Sequence, residues 1–247
     1  MATDSNTQKI TIWFIIGFLV LVAVGVVIAG AYSNSSSSNT TTPAGFVATT
    51  VPAITSADWT MGNASATVSF VEYGDYECPA CAEYSPIVKQ LITDYGNRVL
   101  FAFRNFPLYT IHPDAGVSAQ AAEAAGLQGK YWEMHDLLYS KQNDWVTTDP
   151  SAVAAKYFNG YAQSLGLDVA KFDADMSSAQ VANKIAADVT SGNAASIDHT
   201  PTFFVNLKQI PNPADYAGFK KVLDAALALP TVTAVVSPAT STTSTAQ

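Results

Sequence analysis

The spacing of apolar residues predicts an α/β domain over residues 58–230. β-Branched and aromatic residues from Val68 to Tyr73 predict a strand, and the stretch from Cys81 to Ile92 predicts the helix that follows it. Gly96 stands where that helix should end. Val99 to Phe103 predicts a second buried strand, so the domain begins as a β-α-β unit.

A block of helices interrupts this α/β pattern from about residue 110 to residue 195, and we interpret it as an inserted helical subdomain. Asp168 and Ser177 are candidate N-caps within it, the latter with Gln180 in the capping-box position. The remaining predictions are helices over Ala115 to Ala125, Tyr131 to Lys141 and Ser151 to Leu165, a strand over Thr202 to Val205, and a last amphipathic helix over Asp215 to Leu229.

The N-terminal part of the chain carries a long uncharged stretch, since residues 10–31 contain no Asp, Glu, Lys or Arg. About 20 apolar residues suffice for a helix to cross a bilayer. A cleavable signal peptide ending at Ala29-Gly30-Ala31 is the alternative, but its apolar region would be only about 7–15 residues long. We therefore predict a transmembrane anchor over residues 10–31, after a short cytoplasmic segment over residues 1–9.

Charge on either side of the predicted anchor favours one orientation. Lys9 precedes the span, and no Lys or Arg follows until Lys89. Positive charge tends to stay on the cytoplasmic side, so we predict a single-pass protein of the cell membrane with its domain on the extracytoplasmic side. Residues 32–57 and 231–247 are rich in Ser and Thr, and we predict a flexible linker and a disordered tail.

The negative net charge of the chain argues against nucleic acid as a binding partner. The 247-residue chain has a formal net charge of -8, and its 12 Lys and Arg residues form no cluster. Nucleic acid is therefore not an expected partner. We expect no cofactor and no metal, because the three histidines show no spacing typical of zinc ligands.

The candidate chemistry centres on Cys78 and Cys81, which are the only cysteines of the chain. A Cys-x-x-Cys pair at a strand-to-helix junction indicates redox chemistry. Pro79 suits the first helical position, and the helix dipole would favour a thiolate at Cys78. Cys78 would then attack, and Cys81, one turn further on, would resolve the mixed disulfide. A structural disulfide or half of a zinc site is the alternative reading.

Two further positions could belong to the same site. Glu72 lies in an apolar strand six positions before Cys78, and burial would raise its pKa and let it shuttle the proton of Cys81, through water. The alternative places Glu72 on the outer face of an edge strand. Pro201 precedes the strand that begins at Thr202, and the sequence alone does not distinguish a cis from a trans bond before it, although trans is far more common.

An ordered series of motifs resembles the DsbA-type thioredoxin-fold disulfide oxidoreductases over roughly Trp59 to Leu229. These motifs are Phe70-Val71-Glu72-Tyr73 through Cys78-Pro79-Ala80-Cys81, Phe103-Arg104-Asn105-Phe106-Pro107-Leu108, Gly129-Lys130-Tyr131-Trp132-Glu133-Met134-His135-Asp136-Leu137-Leu138, Gly166-Leu167-Asp168, and Thr200-Pro201-Thr202-Phe203-Phe204-Val205. The resemblance implies a thioredoxin-like fold with an inserted helical subdomain.

The same resemblance implies roles for individual residues. Cys78 would be the nucleophilic cysteine, Cys81 the resolving cysteine, and Pro201 the cis-proline that faces the disulfide and helps bind the substrate chain. Thr200 would contact the substrate through its backbone, and Glu72 falls where the family often has a buried acid. The family oxidises, or sometimes reduces or isomerises, cysteines of exported proteins, which implies such substrates and a membrane redox partner.

Three departures from the family pattern modify these expectations. Pro79-Ala80 lacks the His of strongly oxidising members, and Asp75 and Glu77 place negative charge near Cys78, so we expect its pKa to be lowered but not extremely so. His199 stands where many members have Gly, either beside the active site or in a solvated loop. Residues 206–208, Asn-Leu-Lys, replace an Asn-Gly turn, so we expect a looser or longer hairpin.

The sequence therefore predicts a membrane-anchored thiol–disulfide oxidoreductase that introduces disulfides into exported proteins. Two other interpretations stay open. One is a reductase or isomerase on the same scaffold, because direction depends on the reduction potential and on the partner. The other is a redox-inert module that binds peptides in the groove beside Pro201.

Overall fold

The computed structural model of the chain describes residues 50–146 and 149–229. The predicted anchor over residues 10–31, the predicted linker up to residue 49 and the predicted tail over residues 231–247 lie outside the described residues. Within the described ranges, no helix combines the length and the apolar character needed to cross a bilayer.

A five-stranded mixed sheet forms the centre of the domain. Its strands are β1 (Trp59–Gly62), β2 (Val68–Gly74), β3 (Val99–Asn105), β4 (Thr202–Val205) and β5 (Lys208–Ile210). They lie in the order β1-β3-β2-β4-β5, with β2 and β3 parallel and the other neighbours antiparallel. The three predicted strands are confirmed, and β1 and β5 were not predicted. This sheet, with its helices, is the predicted thioredoxin-like α/β arrangement.

The helices of the described residues fall into three groups along the chain. They are α1 (Pro79–Tyr95), then α2 (Ala115–Gly126), α3 (Tyr131–Ser140), α4 (Gln142–Trp145), α5 (Pro150–Val153), a π-helical turn (Ala154–Phe158), α6 (Asn159–Ser164), α7 (Val169–Met176) and α8 (Ala179–Ala194), and finally α9 (Tyr216–Ala228). The middle group lies between β3 and β4, where the sequence predicts the helical insertion. The single helix predicted from Ser151 to Leu165 is instead made of α5, the π-helical turn and α6.

One predicted N-cap is correct and the other is wrong. Asp168 caps α7, where its carboxylate accepts a hydrogen bond from the Lys171 backbone N–H. Ser178 rather than Ser177 caps α8, and its hydroxyl accepts from the Val181 N–H at 3.3 Å. Ser177 ends α7 and donates its hydroxyl to the Asp173 carbonyl. The residue pattern alone did not show which of the two adjacent serines has the extended backbone that an N-cap requires.

The hairpin between β4 and β5 is tight, so the expectation of a looser or longer hairpin is wrong. Val205 pairs directly with Lys208, and the two residues between them are left-handed, with φ of 49° at Asn206 and 66° at Leu207. Asn206 also pairs with Ser69 on the neighbouring strand, donating its N–H and accepting at Oδ1. These contacts with β2 hold a turn for which the sequence lacks glycine.

Alternate residues of the strands fill two apolar layers, one on each face of the sheet. Phe70, Phe101 and Phe203 pack with residues of α1 and α9 on one face. Tyr73 and Phe204 belong to the layer on the other face. Because side chains of a strand alternate between faces, Glu72 shares the face of Phe70 and points toward α1. A carboxyl group thus lies among aromatic side chains beneath the helix that begins after Cys78.

Candidate active site

The Cys-x-x-Cys pair lies at the start of α1, as predicted. Cys78 has extended backbone angles and precedes the helix, and Pro79 is its first residue. A short turn connects β2 to this point, where the Cys78 N–H donates to the Asp75 carbonyl at 3.1 Å. Both cysteines are buried, and they lie 3.8 Å apart without a bond between their sulfurs. The arrangement brings two thiols together at the positive end of a long helix.

The two thiols have shifted pKa values of opposite direction. The hydrogen bond from Cys81 lowers the pKa of Cys78 to about 5, with help from the backbone N–H groups of Cys81 and Ala80, against the opposing effect of burial. Burial raises the pKa of Cys81 well above its ordinary value, and the hydrogen bond to Cys78 adds to the rise. At neutral pH the pair is therefore a thiolate at Cys78 and a thiol at Cys81. The lowered pKa agrees with the expectation and lies between those of a free thiol, about 8.5, and of an extreme thiolate, about 3.5.

The carboxylates of the active-site turn accept hydrogen bonds from the turn itself and from the loop after β3. Asp75 accepts hydrogen bonds from the backbone N–H groups of Glu77 and Leu108, and it contacts His112 Nδ1 at 2.7 Å. Glu77 accepts from the Asp114 N–H at 2.5 Å. Backbone N–H groups thus offset part of their negative charge, and neither carboxylate is among the main causes of the pKa shift of Cys78.

The Thr200-Pro201 segment, which directly precedes β4, lies beside the dithiol. The Thr200-Pro201 peptide bond is cis, as the resemblance implied and against the base rate for X-Pro bonds. Cys78 Sγ lies 3.4 Å from the Thr200 carbonyl oxygen, which accepts a hydrogen bond from the sulfur when Cys78 is protonated. Asn212 Nδ2 donates to the Pro201 carbonyl at 2.7 Å. Tertiary structure has therefore brought together the cysteine pair and the Thr200-Pro201 segment.

Glu72 is buried beneath the cysteines, on the central strand of the sheet. Its partners across β3 and β4 are Phe103 and Phe203, so the alternative of an outward-facing edge residue is wrong. Burial raises the pKa of Glu72 to about 8, and the charge of Cys78 adds to this shift. Glu72 Oε1 has no hydrogen-bond partner among the described residues. The site thus contains an acid that exchanges its proton near neutral pH.

Sequence reasoning missed a side chain that braces the active-site turn. Gln142, at the start of α4, donates Nε2 to the carbonyls of Tyr76 and Cys78, at 2.8 and 3.0 Å. No spacing rule links a glutamine of the helical insertion to a turn more than 60 positions earlier. His199, by contrast, is largely exposed and pairs with Asp198, which corresponds to the solvated-loop reading.

The described residues contain no cluster of three or more His, Cys, Asp or Glu side chains that could hold a metal ion.

Comparison with known proteins identifies similar sequences. The family described as thioredoxin matches residues 55–225. The Na(+)/H(+) antiporter NhaA 1 of Salinispora arenicola is 41% identical over 162 residues, or 66% of this chain. The chain spans about a quarter of the length of that relative (24%), so most of the antiporter lies outside the match.

Solved structures show the same fold. BdbD from Bacillus subtilis is 27% identical, with a TM-score of 0.63 over 72% of this chain and 97% of that one. A thioredoxin-like oxidoreductase from Silicibacter pomeroyi is 25% identical, with a TM-score of 0.59 over 69% of this chain and 92% of that one. The thiol-disulfide exchange protein alpha-DsbA2 from Wolbachia pipientis, at 20% identity and a TM-score of 0.58 over 67% of this chain and 85% of that one, shares the fold.

Proposed function

The chain belongs to the thioredoxin family, and we propose that it is a DsbA-type thiol–disulfide oxidoreductase that introduces disulfides into exported proteins. The observation that carries the proposal is the unequal pair of thiols, with the pKa of Cys78 lowered to about 5 and that of the buried Cys81 raised. A thiolate that is also a good leaving group, next to a shielded thiol, is what thiol–disulfide exchange requires.

The proposed reaction begins from the Cys78–Cys81 disulfide. A substrate thiolate attacks Cys78 Sγ, the Cys78–Cys81 bond breaks, and its electron pair leaves on Cys81, which takes a proton from Glu72. A second substrate thiolate then attacks the substrate sulfur of the mixed disulfide and releases Cys78 as a thiolate. The substrate dithiol is oxidised by two electrons, and the enzyme disulfide is reduced to a thiolate and a thiol.

Residues beside the dithiol suit the binding of an extended substrate chain. The Thr200 carbonyl lies against Cys78 Sγ, and Pro201 follows it directly. We propose that the backbone of Thr200 hydrogen-bonds to the substrate and that Pro201 packs against it. Glu72 serves as the proton donor and acceptor for Cys81, because its pKa of about 8 lies close to neutral pH.

The low pKa of Cys78 supports oxidation as the direction. A stabilised thiolate favours the reduced enzyme, which makes the disulfide form a stronger oxidant. The competing reductase or isomerase function is tested by the reduction potential of the Cys78–Cys81 couple. We expect a value nearer the roughly -120 mV of DsbA than the roughly -270 mV of thioredoxin. A value near that of thioredoxin would favour the reductase.

We also propose that the protein acts at the outer side of the cell membrane. The support is the uncharged stretch over residues 10–31 and the Ser/Thr-rich linker after it, which would give the domain reach toward exported substrates and a membrane redox partner. The full chain should stay in the membrane fraction after alkaline extraction, and a variant lacking residues 1–31 should not. Release of the full chain would contradict an uncleaved anchor.

Exchange activity tests the central proposal. The oxidised full chain should introduce disulfides into a reduced, unfolded model protein, and Cys78→Ala should abolish this activity. Cys81→Ala serves as the matched variant, because it keeps the nucleophile and should accumulate a mixed disulfide with the substrate. If Cys78→Ala retained full activity, or if the wild type bound peptides without oxidising them, the redox-inert peptide-binding interpretation would replace this one.

A further inference from the structure

A small cavity lies beside Glu72 on the α1 side of the sheet. It measures about 10 Å³ and is lined by Glu72, Phe103, Trp132 and His135 among others. That volume is close to the smallest that holds one water molecule. A surface groove of about 390 Å³ shares Val88, Ile92, Trp132 and His135 with this cavity. Of these four shared residues, only His135 on α3 carries a side chain that titrates, and it borders both the cavity next to the buried acid and the groove.

A chain of polar contacts continues from His135 to the surface. His135 Nδ1 lies 3.2 Å from Asp136 Oδ1, and Asp136 Oδ2 forms an ion pair with Lys89 on α1. The side chain of His135 is 9% exposed, whereas those of Asp136 and Lys89 are 39% and 66% exposed. The contacts thus run from a buried imidazole to groups in water.

The other titratable groups around Glu72 are two tyrosines, which hold their protons too tightly to exchange them at neutral pH, and the two reacting thiols. Burial raises the pKa values of Tyr76 and Tyr139 well above 10, and β3 and β4 place Phe103 and Phe203 beside the acid. The other groups are Cys78 and Cys81 at the start of α1. Among these neighbours, only the imidazole of His135 can exchange a proton with Glu72 at neutral pH without taking part in the sulfur chemistry.

We propose that His135, assisted by Asp136, relays protons between Glu72 and solvent during thiol–disulfide exchange. The relay rests on the proposed function, because it supplies the proton that Cys81 takes up. When the disulfide opens, Glu72 gives its proton to the Cys81 thiolate and becomes a carboxylate. His135 takes up a proton from the groove and passes one to a water in the cavity, and that water protonates Glu72. Closure of the disulfide reverses every transfer, so protons balance in both directions.

The surroundings of His135 suit this role. Burial lowers its pKa, although Asp136 opposes the shift, so the ring is neutral at pH 7 and can accept a proton. The rings of Tyr76, Phe103 and Tyr139 surround it with centroids 5.0–5.6 Å away, which fixes its position. His135 is a positioning residue in this sense, because it acts on the sulfur chemistry through Glu72.

Single-turnover kinetics of the full chain test the relay. His135→Gln should slow oxidation of a dithiol peptide about 10-fold at pH 7 and enlarge the solvent isotope effect in D₂O, while the reduction potential and the thiolate titration of Cys78 stay unchanged. Trp132→Phe is the matched control, since Trp132 lines both spaces without a group that titrates near neutral pH. Imidazole added to His135→Ala should restore part of the rate through the groove.

The dependence on Glu72 separates a relay from a structural role. In a Glu72→Gln background, His135→Gln should cause no further slowing, because the acid that it serves is gone. Equal slowing in both backgrounds, or a wild-type rate in His135→Gln, would overturn the relay while leaving the oxidoreductase intact. Asp136→Asn, at a half-exposed position that folding should tolerate, should slow the reaction in the same direction by less. A wild type without exchange activity would overturn both proposals together.

Discussion

Cys78 and Glu72 show how single residues acquire opposite pKa shifts within one site. Hydrogen bonds to its sulfur stabilise the Cys78 thiolate, whereas burial disfavours the Glu72 carboxylate. The two groups are also coupled, because the charge of Cys78 contributes to the raised pKa of Glu72. Oxidation of Cys78 removes that charge. The acid therefore binds its proton more tightly in the reduced enzyme, which is the state in which Cys81 has taken up a proton.

The raised pKa of Glu72 predicts a pH-dependent cost in stability. The pKa of Glu72 is about 8 in the folded protein, against 4.5 for an unperturbed glutamate in the unfolded chain. Between these two pH values the folded state binds one proton more than the unfolded state, so the free energy of unfolding falls as pH rises. Relative to Glu72→Gln, the reduced wild type should lose a few kcal/mol of unfolding free energy from pH 5 to pH 8, at about 1.4 kcal/mol per pKa unit. Urea denaturation at each pH measures the difference.

Glu133→Gln on α3 is the control for this measurement. The Glu133 side chain is exposed and pairs with Lys130 at the surface, so its stability curve should follow that of the wild type through the same pH range. Parallel curves for the wild type and Glu72→Gln would contradict the raised pKa of the buried acid.

The start of α8 shows what decides the end of an element. α7 ends and α8 begins within two residues, and the cap belongs to Ser178, whose backbone is extended. Local pattern placed a cap at the right junction but on the wrong serine. Once α7 is placed, the hydroxyl of Ser177 turns back to α7, leaving Ser178 to satisfy the first N–H groups of α8.

The two serines form a matched pair for experiment. Ser178→Ala should lower the unfolding free energy by about 1 kcal/mol, because α8 loses the acceptor for its Val181 N–H. Ser177→Ala should change it by less than half as much, since the Ser177 side chain makes only a hydroxyl-to-carbonyl bond with Asp173 among the contacts described. Chemical denaturation of both variants compares them directly. Equal losses, or a larger loss at Ser177, would count against the assigned cap.

At the scale of the whole molecule, Arg104 on β3 holds the segment that leads into the domain. Its guanidinium forms a buried ion pair with Asp58 and donates to the carbonyls of Pro52 and Ala53. Val51 is buried as well, and its N–H donates to the Leu207 carbonyl. The sequence assigns residues 50–57 to the linker, and in the structure three of these residues, Val51, Pro52 and Ala53, contact the domain.

Loss of the buried ion pair should destabilise the domain strongly. Burial opposes ionisation of Asp58, but the hydrogen bonds and charge of Arg104 lower its pKa overall, so the carboxylate is charged. Asp58→Ala would leave Arg104 buried without its counter-ion, and we expect a loss of about 3–5 kcal/mol. Glu133→Ala, which removes an exposed pair, should cost less than about 1 kcal/mol. Thermal unfolding of both variants tests the contrast, and similar losses would contradict it.

The sequence by itself determined the local framework of this protein. β-Branched runs, a proline after Cys78 and a glycine at position 96 specify strand, turn and helix through neighbours a few residues apart. The same local rules predicted the thiol pair and the different roles of its two members. Cys78 lies at the N-terminus of the helix, where the dipole favours a thiolate, and Cys81 lies one turn further on. The helical insertion between β3 and β4 followed from periodicity in the same way.

Tertiary structure alone decided how these parts meet. It placed β2 at the centre of the sheet, which buries Glu72, and it turned Asp75 and Glu77 toward the loop after β3. It also set Thr200 against Cys78 and brought His135 to the cavity beside Glu72. The contact between Asp75 and Leu108 joins residues 33 positions apart, and that between Cys78 and Thr200 joins residues 122 positions apart. Their geometry depends on strand order and helix packing, which no short stretch of sequence encodes.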